Sequence, residues 1–194
     1  MSLESAINIP AFEFSKWIAS PWLNLLMHYI GESFLIVIPL VLLYMYLKKD
    51  KNVFSFVALF IALYIVGEVI KLIVREPRPC NVPNLSWINS IGCESSFSFP
   101  SNHATVLTGV ALFTSSYRYL RILYVIWLLL VLFGRVYLGL HYLTDVIAGA
   151  IISLAIAWPV YKYYSKRINN SFAKIFCKLF YGLKLCPKEW LHER

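Results

Sequence analysis

Eight side chains capable of ionic or proton-transfer chemistry, Lys71, Arg75, Arg78, Ser101, His103, Arg135, His141 and Asp145, fall in two stretches, 71–103 and 135–145. Several cations drawn from two stretches imply an anionic ligand with several oxygens. The planar forks of Arg and the point charge of Lys together suit a phosphate whose charge spreads during transfer. His141 and Asp145 are four apart, so at the start of a helix they share a face. A carboxylate on one ring nitrogen fixes the tautomer and makes the other nitrogen a better nucleophile, as a covalent phosphohistidine requires. His103 is then free to act as the general acid. Pro100, Ser101, Asn102 and His103 read as a helix entry, whose open backbone N–H groups add neutral donors for an anion. Ser101 alone reads equally well as a plain N-cap. Singly, each His would be an ordinary interfacial residue. Two His with one Asp and four cations on one face point to a reactive site.

The elements that must position these groups are apolar. With 194 residues, 59% hydrophobic and 14% charged, the chain is too apolar for a soluble domain of its size. Five spans are expected, at about 22–47, 53–70, 103–117, 122–133 and 146–164; the third and fourth are short for full crossings. The expected fold is all-α, a multi-pass helical bundle of one domain: an interfacial segment over 1–21, with 12–22 as a short amphipathic element, a bundle over 22–164, and a tail over 165–194. The opening residues lack a basic start and a small-residue cleavage site, so the apolar segments are expected to be retained. A net charge of +8 would suit nucleic acid, but the cations lie beside apolar spans, which favours membrane topology.

Lys48, Lys49 and Lys51 follow the first span, Arg118 and Arg121 the third, and the tail is rich in Lys. The positive-inside rule puts these segments in the cytoplasm and both reactive stretches outside. In the tail, Phe172, Ile175, Phe176, Leu179, Phe180 and Leu183 recur at helical spacing with Lys174 and Lys178 between them, which predicts a basic amphipathic helix on the inner leaflet. Cys80 and Cys93 share the outer stretch, where a disulfide is plausible. Cys177 and Cys186 are expected to be reduced. No close Cys or His pair has zinc-ligand spacing, so no metal is expected.

Lys71-x6-Arg78-Pro79, Pro100-Ser101-Asn102-His103 and Arg135-x5-His141-x3-Asp145 resemble, in order, the three-part signature of the type 2 phosphatidic acid phosphatase superfamily. The resemblance implies two-step phosphoryl transfer without a metal or other cofactor. It implies that Lys71, Arg78, Ser101 and Arg135 hold the phosphate with the Asn102 loop, His141 attacks, Asp145 orients it and His103 acts as acid. Two positions depart from the pattern: Asn102 replaces a Gly and Gly134 a Ser. The stretches 75–79, 98–101 and 138–142 are most similar to those of small polyprenyl-diphosphate phosphatases, of the undecaprenyl and dolichyl types. That implies an isoprenoid diphosphate as substrate and lipid-carrier recycling as role, with Arg75, one turn after Lys71, on the second phosphate. A surface pair with Glu76 is an equal reading of Arg75. The alternatives are a phosphatase for phosphatidylglycerophosphate or phosphatidic acid, and, from another class, a non-catalytic protein that binds or moves anionic lipids.

Overall fold

The computed structural model describes residues 3–82, 93–180 and 185–190. Among the described residues eight α-helices appear in order: α1 (Leu3–Ile18), α2 (Pro21–Glu32), α3 (Phe34–Leu47), α4 (Asn52–Val74), α5 (Asn102–Val110), α6 (Arg118–Tyr137), α7 (Leu143–Pro159) and α8 (Ser165–Phe180). No strand occurs among the described residues. The chain is an all-α membrane bundle. Four helical stretches, Pro21–Leu47, Asn52–Asn81, Arg118–Tyr137 and Leu143–Phe180, are long and apolar enough to cross a bilayer. Their outward faces carry Ile36, Ile61, Ile73, Leu129 and Ile151, all more than half exposed. An apolar surface of that extent is stable only against lipid.

The fifth traverse is α5, prolonged by a 3₁₀ turn over Ala111–Thr114. It is too short to face lipid but does not need to, because Ala104, Thr105, Val106, Leu107, Gly109 and Val110 are all buried by protein. At about 1.5–2 Å per residue it still covers roughly 20 Å. Its far end is fixed beside the α3–α4 turn, where Tyr117 Oη donates to Asp50 Oδ2 at 3.0 Å. Met45, Phe56, Leu63, Val110, Phe113 and Val131 pack around it as the core.

Four boundaries differ from the sequence reading. The expected span at 22–47 is two helices bent at Ser33, whose Oγ donates to Ile30 O at 2.6 Å and accepts from Trp127 Nε1 at 2.8 Å; this capture of local backbone bonding bends the helix. The N-terminal element begins well before residue 12: α1 covers Leu3–Ile18, with Asn8, Phe12 and Ser15 buried. Asn8 Oδ1 accepts from Thr144 N at 3.2 Å, satisfying a donor that the first turn of α7 leaves open. The last span does not stop before the tail; α7 passes through a π-turn at Val160–Tyr164, directly after Pro159, into α8. Finally, the tail's apolar residues divide between two faces. Phe172, Ile175 and Leu179 are exposed, while Phe176 packs against Phe54 and Trp190. The buried stripe is Asn169, Ala173 and Cys177; Leu183 lies outside the described residues.

Cys177 and Cys186 correct a further expectation. They are joined as a disulfide, with Cα atoms 5.0 Å apart. The chain beyond α8 turns back so that Trp190 packs edge-on against Tyr46 and donates from Nε1 to Lys49 O at 2.7 Å, which brings the two cysteines within bridging range.

Candidate active site

His141 is presented by the turn that joins α6 to α7. Gly139 takes a left-handed conformation with φ 65°, which a side chain would resist. The reversal brings the amides of Leu140 and His141 back onto Arg135 O, at 3.1 and 3.2 Å. Asp145 lies in the first turn of α7, where its Oδ2 accepts from Tyr142 N at 2.9 Å and from Ser98 Oγ. A carboxylate at a helix N-terminus is favoured there by the open N–H groups. His141 Nδ1 lies 3.4 Å from the same oxygen.

The other ring nitrogen settles the tautomer. Arg78 NH1 stands 3.0 Å from His141 Nε2. A guanidinium only donates, so Nε2 must be the bare, accepting nitrogen and Nδ1 must carry the hydrogen toward Asp145. Burial, with the charges of Arg78, Arg135 and Lys71 close by, holds the imidazole well below its ordinary pKa. The ring is therefore neutral at physiological pH, its Nε2 lone pair held at Arg78 beside the cavity that both residues line.

Three cations from separate elements meet it. Lys71 on the last turn of α4, Arg78 just beyond α4, and Arg135 near the end of α6 are each at most 2% exposed. Lys71 Nζ donates to Phe97 O at 2.6 Å and Ser98 O at 3.3 Å. Arg78 donates from Nε to Ser96 O, from NH1 to Leu140 O, and from NH2 to Ser96 Oγ. Both guanidiniums also bind the Glu94 carboxylate: Oε2 accepts from Arg78 NH2 at 2.6 Å and Oε1 from Arg135 NH2. Glu32, at the end of α2, lies 3.8 Å from Arg135 NH1.

Lys71, Arg78, Asn102, His103, Arg135 and His141 line one cavity of about 300 Å³. Its other end is apolar, formed by Phe34 of α3, Phe60 and Tyr64 of α4, and Val106 and Leu107 of α5. Among the described residues, Ser101 Oγ, Asn102 Oδ1, His103 Nε2 and Arg135 Nε are buried polar atoms with no hydrogen-bond partner. Orphans of this kind are uncommon in folded proteins and concentrate where a ligand completes them. Ser101 holds the N-cap position of α5 without a side-chain cap bond, and it does not line the cavity. The His103 ring is held edge-on by Phe34, centroids 5.0 Å apart.

Both departures from the expected pattern have local reasons. Asn102 Nδ2 donates to Glu68 Oε1, and its Oδ1 lies where a Cβ at residue 67 would be, so Gly67 makes room for it. The glycine missing at 102 reappears across the helix pair. Gly134 lies under α2, where an added Cβ would come within 3.3 Å of Met27 O, so the usual Ser would press the two helices apart by a few tenths of an ångström.

Arg75 is not brought to the cavity. It is the C-cap of α4 with φ 55°, and this left-handed residue breaks the register that would have set it above Lys71. Its Nε folds back onto Leu72 O at 2.9 Å. Cys80 and Cys93 are joined, Cα atoms 5.8 Å apart, and Cys80 N donates to Gly139 O, so this bridge ties the 93–100 segment to the His141 turn. Sequence reasoning overlooked Glu68, Glu94, Ser96 and Ser98. The available signal for Glu94 was an acid directly after Cys93, the sole Asp or Glu in the sequence between Arg78 and Asp145.

The PAP2 superfamily pattern matches residues 52–169, more than half of the chain. The chain belongs to the PAP2 superfamily. An undecaprenyl-diphosphatase of Sulfolobus acidocaldarius is 32% identical over 115 residues, which are 58% of this chain and 55% of the relative. A lipid A 4'-phosphatase of Bacteroides thetaiotaomicron is 38% identical over 96 residues, covering 46% and 43%. The chain thus spans about half the length of these relatives. In fold it is similar to a PAP2-type phosphatidylglycerolphosphate phosphatase from Bacillus subtilis, with TM-score 0.66 and 24% identity over 87% of this chain and 89% of that one. It is also similar to LpxE of Aquifex aeolicus, with TM-score 0.62 and 22% identity over 84% and 100%.

Proposed function

We propose that the chain is a membrane lipid phosphatase that removes the terminal phosphate of a polyprenyl diphosphate through a phosphohistidine on His141. The observation that carries this reading is the cavity itself. A neutral imidazole with a bare Nε2 faces a seat built from Arg78, Arg135 and Lys71, and an apolar channel leads away from the seat. Cations at one end and Phe34, Phe60 and Tyr64 at the other suit a phosphate on an apolar tail.

In the first step Lys71, Arg78 and Arg135 hold the phosphoryl oxygens while His141 Nε2 attacks phosphorus. The N–P bond forms and the P–O bond to the leaving group breaks, with the charge that develops on the imidazole met by Asp145 through Nδ1–H. His103, whose Nε2 is buried without a partner, enters this step as the imidazolium beside the bound phosphate anion and gives the Nε2 proton to the departing oxygen, becoming neutral. In the second step His103 takes a proton from water, which attacks the phosphoimidazole. Inorganic phosphate leaves and His141 regains its lone pair. With a diphosphate the first leaving group is a polyprenyl monophosphate, in line with what the Sulfolobus relative's name describes.

The face on which this happens follows from charge. Lys49 and Lys51 bond to Glu189 and Asn170, and Tyr117 bonds to Asp50, so the α3–α4 turn, the start of α6 and the tail gather at the end opposite His141. That end carries Lys48, Lys49, Lys51, Arg118, Arg121, Lys166 and Arg167, which supports a cytoplasmic tail and an extracytoplasmic site in the cell membrane.

Purified protein should release phosphate from a polyprenyl diphosphate faster than from phosphatidylglycerophosphate or phosphatidic acid, with EDTA present. His141→Ala should abolish both release and the acid-labile, base-stable phosphoryl label on the protein. Faster release from either glycerophospholipid would change the substrate, and lipid binding without release would favour a non-catalytic carrier.

A further inference from the structure

In the resting structure the seat for the phosphate is already occupied by an anion that belongs to the protein. One carboxylate, Glu94, bridges Arg78 and Arg135 through its two oxygens, in the manner in which guanidiniums hold phosphate. The partners are unequal. The Arg78 and Arg135 side chains are 1% and 3% exposed, whereas that of Glu94 is 43% exposed. The cations are fixtures, and the carboxylate is the part that water can reach and receive. Burial alone would raise the Glu94 carboxyl pKa, but Arg135 and Arg78 outweigh burial and hold it below the usual carboxylate value, so it stays charged in the seat.

The backbone around Glu94 is tied on both sides. Cys93 is bonded to Cys80, while Ser96 O and Ser96 Oγ accept from Arg78, and Phe97 O from Lys71. Vacating the seat therefore needs only a side-chain rotation. Two carboxylate oxygens also leave part of the seat unused, since Arg135 Nε and His103 Nε2 remain without partners around it. An anion with three terminal oxygens would engage what Glu94 does not.

We propose that Glu94 is an internal anion that closes the phosphate seat at rest, yields it to the terminal phosphate of the substrate, and returns to expel inorganic phosphate, so that it sets preference for highly charged headgroups. The proposal rests on the phosphatase reading above. A ligand that must displace a resident group binds with its intrinsic affinity reduced by the fraction of molecules whose seat is open. Weakly charged esters lose most from that competition. Product phosphate, no longer attached to an apolar tail, loses the channel contacts that help substrate compete. Between turnovers the carboxylate also keeps two buried guanidiniums compensated, which would otherwise be costly.

The test uses the full chain in lipid nanodiscs, with inorganic phosphate and orthovanadate as inhibitors of lipid phosphate hydrolysis, comparing wild type with Glu94→Gln and Glu94→Ala. Inhibition by both anions should tighten at least tenfold in each variant, KM should fall with it, and the rate ratio between diphosphate and monophosphate lipids should shrink. Glu94→Asp, charged but one methylene shorter, should fall between wild type and Glu94→Gln. Unchanged or weaker inhibition in the variants, with wild type active, would overturn the role of Glu94 alone and leave it a clamp for Arg78 and Arg135. A wild type that hydrolyses no phosphate lipid and binds neither anion would remove the phosphatase reading and this proposal together.

Discussion

At the end of the bundle that holds Trp190, buried polar groups close on one another. Asn169 Oδ1 accepts from Ser55 N at 3.0 Å and Ser55 Oγ at 2.6 Å, its Nδ2 donates to Asn52 Oδ1 at 2.8 Å, and Trp190 Nε1 finds Lys49 O. At the end that holds His141, Ser101, Asn102, His103 and Arg135 present equally buried polar atoms that are left without partners. Both ends also carry a disulfide and a helix lying against the traverses. Completed hydrogen bonding fixes a fold, and incomplete hydrogen bonding holds room for something that has yet to arrive. The contrast predicts that mutations at the two ends separate catalysis from stability.

After the loss of the nucleophile His141, the largest effect belongs to His103. Replacing it with Ala should lower kcat on phosphate monoesters by about 10²–10⁴-fold, the usual contribution of a positioned acid. On diphosphates the loss should be smaller, because a phosphate monoester departs more readily than an alkoxide. The thermal midpoint should fall only by the lost packing against Phe34, since Nε2 gives up no hydrogen bond. Equal losses on both substrate classes would move His103 from acid to simple phosphate ligand.

At the other end the opposite separation is expected. Asn169→Ala removes the side-chain partners of Ser55 N and Asn52 Oδ1 and leaves Ser55 Oγ only Ser165 O, which should cost about 1–3 kcal/mol of stability. KM and kcat at 25 °C should stay near wild type. A fall in kcat with no shift in the unfolding transition would mean that the two ends communicate and that the contrast is wrong.

How far these ends could be read in the sequence depends on the range of the interactions that build them. His141 and Asp145 stand a turn apart, and Lys71, Arg78, His103 and Arg135 stand at helix ends, so local spacing and hydropathy were enough to bring them together. Glu94 escaped because it sits in a stretch without regular structure and its role depends on meeting Arg135, 41 positions away. The Cys177–Cys186 bridge escaped for a related reason: the return of the chain onto α8 is set by Trp190 packing on Tyr46 and Phe54, an aromatic contact with no periodic signature. With a bridge at each end, cysteine pairing no longer distinguishes the two faces, and the orientation rests on the Lys and Arg distribution. The five traverses were legible because hydropathy reports burial and lipid alike. The bend at Ser33 was not, because it is set by one hydroxyl and a distant Trp.

A finer test within the catalytic end concerns the displaced glycine. Gly67→Ala should be harmful when residue 102 is Asn, because the new Cβ would overlap Asn102 Oδ1. The double variant with Asn102→Gly should recover most of the loss, a coupling of about 1–3 kcal/mol in a double-mutant cycle read by stability and by kcat/KM. Additive effects would mean that the α4–α5 approach is not governed by this pair.

The smallest effect is expected at Arg75, and its smallness is informative. A left-handed cap turns the side chain back on Leu72 O and away from the seat, although Lys71 stands only four positions earlier. Arg75→Ala should therefore change the diphosphate-to-monophosphate rate ratio by less than about twofold, the scale of an exposed polar contact. Preference for a diphosphate would then have to arise inside the seat, from competition with Glu94, and not from a second cation at its rim. A selective loss of diphosphate activity in Arg75→Ala would mean that the cap unwinds when substrate arrives and that Arg75 joins Lys71 only in the occupied enzyme.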